Sequence, residues 1–358
     1  MPRIIAHLDM DAFFAAIEER DTPAFRGIPL VVGADPRGGK GRGVASTSNY
    51  LARAYGIHSA TPISTAWRLS EAARRDGKPP VTFVSVDMTK YARVSDEVMG
   101  IMRRFIPIVE QASIDEAYGD LSFAASYEAA EGLCRRLKDA IRAEAQLTAS
   151  VGIGPNKLIA KIASGLHKPD GLTVVHGNEA ESFLAPLPVR AIPGIGPKTE
   201  MLLKNSGVKV VNDLKRFSIL QLEDMLGKRG ADLYGKIRGV DDSPLEEYSE
   251  PKSIGEQETF DSDTVDSQVL VDQLEALAKD VIERLHCEGF QAFRTVVLTV
   301  RFADFETKSR AHTLTRPAGD ETTLRREAMK LLLPFLDRRE NPRRKLIRLL
   351  GVRVEKIQ

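Results

Sequence analysis

Apolar runs of strand length alternate with amphipathic segments of helix length from Arg3 to about residue 175, and there the alternation stops. A chain with so sharp a change of texture cannot be one uniform fold. Arg3 to Asp9 reads as a buried strand and Ala12 to Glu19 as the start of an amphipathic helix. Further strands are predicted at Val81 to Val86, on both sides of an acidic turn within Ile108 to Tyr118, and at TASVGIG. Helices fall near Tyr50, over 87–105 and over 126–144. This is a mixed block of strands and helices. Residues 180–238 hold short helical segments broken by PGIGP, SGV and LGKRGA, without a strand. Asp241 to Lys252 (DDSPLEEYSEPK) is polar and contains proline, so a linker is expected there. Beyond it the pattern predicts a helix over 269–287, a strand over 294–302, a helix over 322–336 and a strand over 348–357. That is an α+β domain of common size. With 358 residues, the chain has room for several such domains.

Composition excludes some classes of function. The formal net charge is only +1, so no global basic field marks a nucleic-acid partner, and any such contact has to come from local clusters. Cys134 and Cys287 are far apart with no CxxC or Cys/His spacing, which argues against zinc or a disulfide framework and suits a reducing cytoplasm. An acidic pair interrupts the apolar run of MPRIIAHLDMD, and no stretch approaches the ~18 apolar residues of a membrane span. A cytoplasmic protein without a membrane partner is expected.

Four carboxylates are the most informative residues. Asp9 and Asp11 end the first strand, and Asp115 and Glu116 sit in the turn of SIDEAY. The apolar runs around them place these acids at the rim of a sheet, where they repel and lose solvation unless a cation compensates. Magnesium, a hard ion that keeps room for substrate phosphates, suits such oxygen ligands. Spacing alone leaves open whether residue 9 meets residue 115 or each pair is a solvated turn.

DMDAFFAAIEE, STSNYLARAYGI, ASIDEAYGD, SVGIGPNKLIAKIAS, HKPDG and IPGIGPKT follow one another here in the order and approximate spacing of the Y-family (translesion) DNA polymerases, and the bacterial DNA polymerase IV branch is the nearest. The resemblance covers essentially the whole chain. It implies an α+β multidomain right hand: palm from 1–11 and 84–175, fingers 12–83, a helix-hairpin-helix thumb 176–240, a linker 241–252, and a DNA-binding little finger 253–358. It also implies a template-directed lesion-bypass polymerase that extends a primer 3′-hydroxyl with deoxynucleoside triphosphates, at low fidelity and without proofreading. The alternatives are a catalytically silent DNA-binding scaffold of the same fold, against which the intact acids speak, and a specialised deoxycytidyl transferase.

The same resemblance implies residue roles. Asp9, Asp115 and Glu116, with the Met10 backbone carbonyl, would bind two Mg²⁺ ions, with Mn²⁺ able to substitute. Asp11 would support them as a hydrogen-bonding acid. Phe14 would be the steric gate against a ribose hydroxyl, and Phe13 would lie in the core or beneath the nucleotide. Thr47, Tyr50, Arg53 and Lys168 would hold the triphosphate. Tyr50 and Arg53, three apart, share a helix face, and an arginine can grip phosphate in two places. The loop DPRGGKGRG does not fit the P-loop pattern and reads as a flexible hairpin tip.

For DNA, Gly194, Gly196 and Lys198 belong to a glycine hairpin that lets backbone N–H groups approach a phosphate regardless of base sequence. Between Asp337 and Lys356, eight basic residues stand against three acidic ones, with Arg338, Arg339, Arg343 and Arg344 the expected DNA contacts. The sequence ends at Val354–Gln358 without the short apolar peptide by which many relatives reach the sliding clamp, so that partner is left open, and a monomer is expected.

Overall fold

Ile5–Met10 forms strand β1, and Ile5, Ala6, His7 and Leu8 are all buried, as a strand flanked on both sides and covered on both faces requires. The structure is a computed structural model that describes residues 3–248 and 250–358. It divides into two compact units, Met1–Tyr248 and Ser249–Gln358.

In the first unit β1 is followed by α1 (Phe13–Asp21), β2 (Leu30–Gly33), β3 (Ala45–Ser48), α2 (Tyr50–Arg53), α3 (Ile63–Arg75), β4 (Thr82–Ser85) and α4 (Met88–Phe105). Then come β5 (Val109–Gln111), β6 (Glu116–Asp120), α5 (Tyr127–Glu144), β7 (Ala149–Gly154), α6 (Lys157–Leu166) and β8 (Leu172–Val174). The main sheet has the order β5-β6-β1-β7-β8, with β1 antiparallel to both neighbours. Side chains alternate along a strand, so Ala6, Leu8 and Met10 join the core with Val94 and Val98 of α4 and Leu137 of α5. Ile5 instead meets Ala160 of α6 and Tyr118 on the opposite face. Gly152 explains how close α6 comes: a Cβ there would stand 2.1 Å from the Ala160 carbonyl oxygen.

A smaller sheet, β3-β2-β4, packs Val31 and Ala45 against Ala52, Ile57 and Ile63. The glycine-rich loop that joins β2 to β3 is not an open tip, because Gly39 lies against the Trp67 ring of α3. The unit continues with α7 (Ala180–Leu184), α8 (Pro197–Asn205), α9 (Ile219–Leu226) and α10 (Lys228–Lys236), around a core that includes Leu184, Val189, Leu203, Leu222 and Leu233. No strand occurs among the described residues of 180–238.

Among the described residues, the stretch expected to be a linker has no helix or strand, but its first part is tied down. The Asp241 carboxylate accepts from the Leu158 amide at 3.0 Å, Arg3 donates to the Asp241 carbonyl, and the Glu246 amide donates to Glu110. Polar composition signalled the lack of regular structure and could not signal these long-range bonds.

The second unit consists of β9 (Ser253–Thr264), α11 (Ser267–Cys287), β10 (Phe293–Phe302), β11 (Thr307–Ala318), α12 (Glu321–Leu336) and β12 (Ile347–Glu355). Its antiparallel sheet has the order β11-β10-β12-β9. Val296, Leu298 and Val300 pack on Leu274 and Val281 of α11 and Leu324 and Leu332 of α12. The two edge strands, β9 and β11, escape the sequence pattern because they bury so little: β9 buries only Ile254 and Phe260, and β11 no residue.

Candidate active site

The acids from the two ends of the pattern meet. Asp9 stands directly opposite Glu116 in the β1–β6 ladder, and the Met10 amide donates to the Asp115 carbonyl at 3.0 Å. Residues 112–115 form the hairpin tip between β5 and β6. The Ser113 hydroxyl there donates to the Asp115 carboxylate at 2.7 Å and accepts from the Glu116 amide at 3.0 Å.

Each carboxylate is taken up by its own neighbour. Lys168 donates to Asp9, and Lys161 on α6 donates to Glu116 at 2.5 Å. His7 also faces Glu116, with Nε2 3.6 Å from the carboxylate and Nδ1 2.8 Å from the Ser164 hydroxyl. Burial pushes the Asp9 carboxyl above its ordinary value, although Lys168 pulls it back. His7 and Lys161 hold Glu116 down to about 2 despite its burial. Burial lowers His7. Among the described residues, no three His, Cys, Asp or Glu side chains are gathered closely enough to hold an ion. The backbones therefore converge as expected, whereas the carboxylates do not form a ready-made cage. Lys161 and His7 were missed in the sequence. The signal was a lysine in an otherwise apolar stretch of α6, but its target depends on the register of α6 over β1.

Asp11 has a more definite position than its sequence reading gave it. It is 4% exposed, and both of its oxygens are used, by the Ser150 hydroxyl and by the Asp170 amide, each at 2.8 Å. It thus bonds to the HKPDG loop that carries Lys168.

The STSNYLAR motif turns from β3 into α2. Asn49 caps α2 by accepting from the Ala52 amide and also accepts from the Leu30 amide, so the helix start is fixed to β2. The Arg53 guanidinium lies 4.5 Å from the centre of the Tyr50 ring and donates to the Ser48 carbonyl. The Tyr50 hydroxyl is buried and, among the described residues, has no hydrogen-bond partner. Burial and then the nearby Asp11 charge push its pKa up to about 12, so the phenol keeps its proton for donation. Thr47 lies on β3 opposite Val32. Phe13 is 2% exposed and belongs to the core, as one of its two readings required. Phe14 is half-buried and stacks on Tyr91, with ring centres 4.2 Å apart.

In the helical segment, Gly194 adopts the left-handed φ of +94° that only glycine takes without strain. Gly196 caps α8 with Pro197 as its first residue, and Lys198 is exposed beside it. A Cβ at either glycine would meet nothing within 4 Å, so the backbone of this hairpin is open to close approach. In the second unit Arg338, Arg339, Arg343 and Arg344 are all exposed. The excess of basic residues is smaller than the sequence count. Arg339 pairs with Asp337, Lys345 with Asp304 and Glu306, Arg348 with Asp263, and Arg353 with Glu355.

The site thus combines sheet-borne acids with a half-buried aromatic and a Tyr–Arg pair. Family models match three stretches: the impB/mucB/samB family over residues 8–165, its C-terminal domain over 251–358, and the DNA polymerase-iota thumb domain over 190–241. The chain is 44% identical to DNA polymerase IV of Methanoculleus marisnigri, over 99% of this chain and 95% of that one. It is 37% identical to DNA polymerase IV of Streptococcus mutans, over 99% and 93%. Among solved structures, a Y-family chimera of Dbh and Dpo4 is similar with a TM-score of 0.85 at 26% identity, over 99% of both chains. DinB from Sulfolobus solfataricus is similar with a TM-score of 0.64 at 27% identity, also over 99% of both chains. The chain belongs to the Y-family of DNA polymerases. It is a DNA-directed DNA polymerase of the lesion-bypass type that uses divalent metal. No helix among the described residues is long and apolar enough to cross a membrane.

Proposed function

We propose that Asp9, Asp115 and Glu116, with the Met10 carbonyl, would hold two Mg²⁺ ions, and that the reaction is attack of a primer 3′-hydroxyl on the α-phosphate of a deoxynucleoside triphosphate with release of pyrophosphate. The donor set fits, since all four groups offer hard oxygen. The observation that carries the reading is the opposition of Asp9 and Glu116 in one ladder, with Asp115 tied to Met10 beside them. When bound, such ions activate the hydroxyl and stabilise the leaving pyrophosphate.

The chain's own residues supply the rest. The Tyr50 hydroxyl, buried and without a partner among the described residues, can donate to an acceptor such as a phosphate oxygen. Arg53, stacked on the same ring, offers a planar fork for two phosphate oxygens, and Lys168 a point charge. Thr47 adds a hydroxyl on the neighbouring strand. Phe14, supported by Tyr91, is the gate that a ribose 2′-hydroxyl would strike. Residues 1–11 and 84–175 serve as palm, 12–83 as fingers, 176–240 as thumb and 253–358 as little finger. Gly194, Gly196 and Lys198 would grip primer-template phosphates, joined by Arg338, Arg339, Arg343 and Arg344. The enzyme acts as a cytoplasmic monomer, with a sliding clamp left as an open partner.

Primer extension tests the assignment. Asp115→Ala and Glu116→Ala should each abolish elongation and leave primer-template affinity within about twofold, as loss of a transition-state interaction does. Equal loss of binding and elongation would refute the metal role.

A further inference from the structure

Lys168 sits on a five-residue loop, His167 to Gly171, that is fastened from two sides. From below, the Asp170 amide donates to Asp11, and the Gly171 amide donates at 3.2 Å to the Ser150 hydroxyl, which itself donates to Asp11. Asp11 and Ser150 are 4% and 0% exposed, so this anchor lies inside the sheet rim. From the side, Lys138 on α5 reaches over with its ammonium, whose side chain is only 10% exposed. It donates to the Asp170 carbonyl at 2.5 Å and the Gly171 carbonyl at 2.7 Å. Arg142, one turn further along α5, donates to the Asp170 carboxylate at 2.5 Å.

The loop needs such fastening. Asp170 takes a left-handed φ of +59°, tolerable for an aspartate but unfavourable without support. Gly171 folds so tightly that a Cβ would lie 2.4 Å from the His167 carbonyl oxygen. The Gly171 carbonyl also accepts from the Val151 amide at 3.0 Å, so a cation that donates to it and to the Asp170 carbonyl ties the Asp170 peptide plane to one already held by the sheet. It therefore fixes the point two residues upstream from which Lys168 projects toward Asp9.

We propose that Lys138 is a positioning residue for the incoming nucleotide: by clamping the Asp170 and Gly171 carbonyls, opposite the Asp11–Ser150 anchor, it sets where Lys168 presents its charge to the triphosphate. The inference rests on the reading of Lys168 as a triphosphate ligand. Among the described residues Lys138 bonds to Asp170 and Gly171 and to none of Asp9, Asp115 and Glu116, so its effect belongs in nucleotide affinity and not in the chemical step.

A double-mutant cycle on the full-length protein separates the possibilities. The readouts are KM and kcat for the next correct nucleotide, and equilibrium nucleotide affinity on a dideoxy-terminated primer-template. Lys138→Met should weaken affinity and raise KM about tenfold with kcat within about twofold, the signature of a displaced binding group. Lys138→Arg, which keeps two donors, should restore most of the affinity. In a Lys168→Ala background, Lys138→Met should add nothing. Ser150→Ala, which loosens the opposite anchor without changing α5, should behave like Lys138→Met and carries the test if that variant does not fold. If Lys168→Ala leaves KM unchanged, the reading of Lys168 fails and the clamp with it. If Lys168→Ala raises KM but the clamp variants do not, or if their effects multiply independently of it, the clamp alone is overturned.

Discussion

Asp9 and Glu116 face one another across the β1–β6 ladder, yet their carboxylates are bonded to different lysines, Lys168 to the first and Lys161 to the second. Like charges directly opposite in a sheet are destabilising. Here the two lysines come from separate parts of the chain, one from the HKPDG loop and one from α6, so the acid pair is compensated by groups with different tasks. Lys161 shares Glu116 with His7 beneath the sheet. Lys168 is carried by a loop that also hangs on Asp11.

Divalent metal should therefore stabilise the protein as well as activate it. Adding Mg²⁺ to chelator-treated enzyme, at about ten times its dissociation constant, contributes about 1.4 kcal/mol per bound ion by mass action, which for a unit of this size raises Tm by ~3–6 °C for each ion. Glu116→Gln, with one ligand charge removed, should show less than half that shift. Thermal melts with and without Mg²⁺ decide the matter, and an identical shift in the variant would take Glu116 out of the ligand set.

Phe13 and Phe14 are adjacent and should behave oppositely. Phe14→Ala removes a half-buried ring that stacks on Tyr91, and should lower discrimination against ribonucleotides by about 100-fold at modest cost in stability. Phe13→Ala opens a hole in the core and should cost about 3–5 kcal/mol without changing sugar choice. Single-nucleotide incorporation with paired ribo- and deoxynucleotides, beside urea melts, separates the two. Relaxed sugar choice in the Phe13 variant alone would reverse the assignment.

What the sequence disclosed depended on how local the cause was. Strand β1, helices α4 and α5 and the hairpin of SIDEAY follow from runs of apolar residues and their period, and they appear within a few residues of their expected bounds. The Tyr50–Arg53 pairing follows from helical spacing and is present as a stacked pair. Strands β9 and β11 were not legible, because an edge strand with almost no buried residue carries no alternation. Lys161, His7 and Ser164 became functional candidates only once α6 was laid across β1, a consequence of Gly152 that no spacing rule conveys. The neutralisation of Lys345 was equally hidden, since Lys345 finds Asp304 some forty residues away in sequence.

Stability of the second unit should fall in acid through Glu327. This carboxylate is 3% exposed, and burial alone would push its pKa up. Hydrogen bonds from Lys330, Arg326 and His312 outweigh that and hold it below the ordinary value. A folded pKa below the unfolded one means a contribution that is complete above the unfolded value, about 4.3, and is lost as pH falls through the folded value. Urea midpoints should therefore drop below about pH 4.5, and Glu327→Gln should flatten that part of the profile. A wild-type and a variant curve that stay parallel from pH 6 to pH 3 would exclude Glu327 as the cause.

The arginines between α12 and β12 should differ in their hold on DNA according to their partners. Arg338, Arg343 and Arg344 are exposed and, among the described residues, have no ion-pair partner, whereas Arg339 is bonded to both oxygens of Asp337. A phosphate gains a whole charge from the first three, but from Arg339 only what Asp337 releases. Each phosphate contact contributes about 0.9 to the slope of log affinity against log salt. Arg343→Ala combined with Arg344→Ala should therefore lower that slope by about 2, roughly equally for any template sequence, while Arg339→Ala lowers it by less than about 0.5. Binding of primer-template across a salt series gives the slopes. The single-turnover rate at saturating DNA should stay unchanged, because these groups lie in the second unit and the acids in the first. A larger loss from Arg339→Ala than from the Arg343/Arg344 pair would show that ion pairing within the unit does not decide which arginines meet DNA.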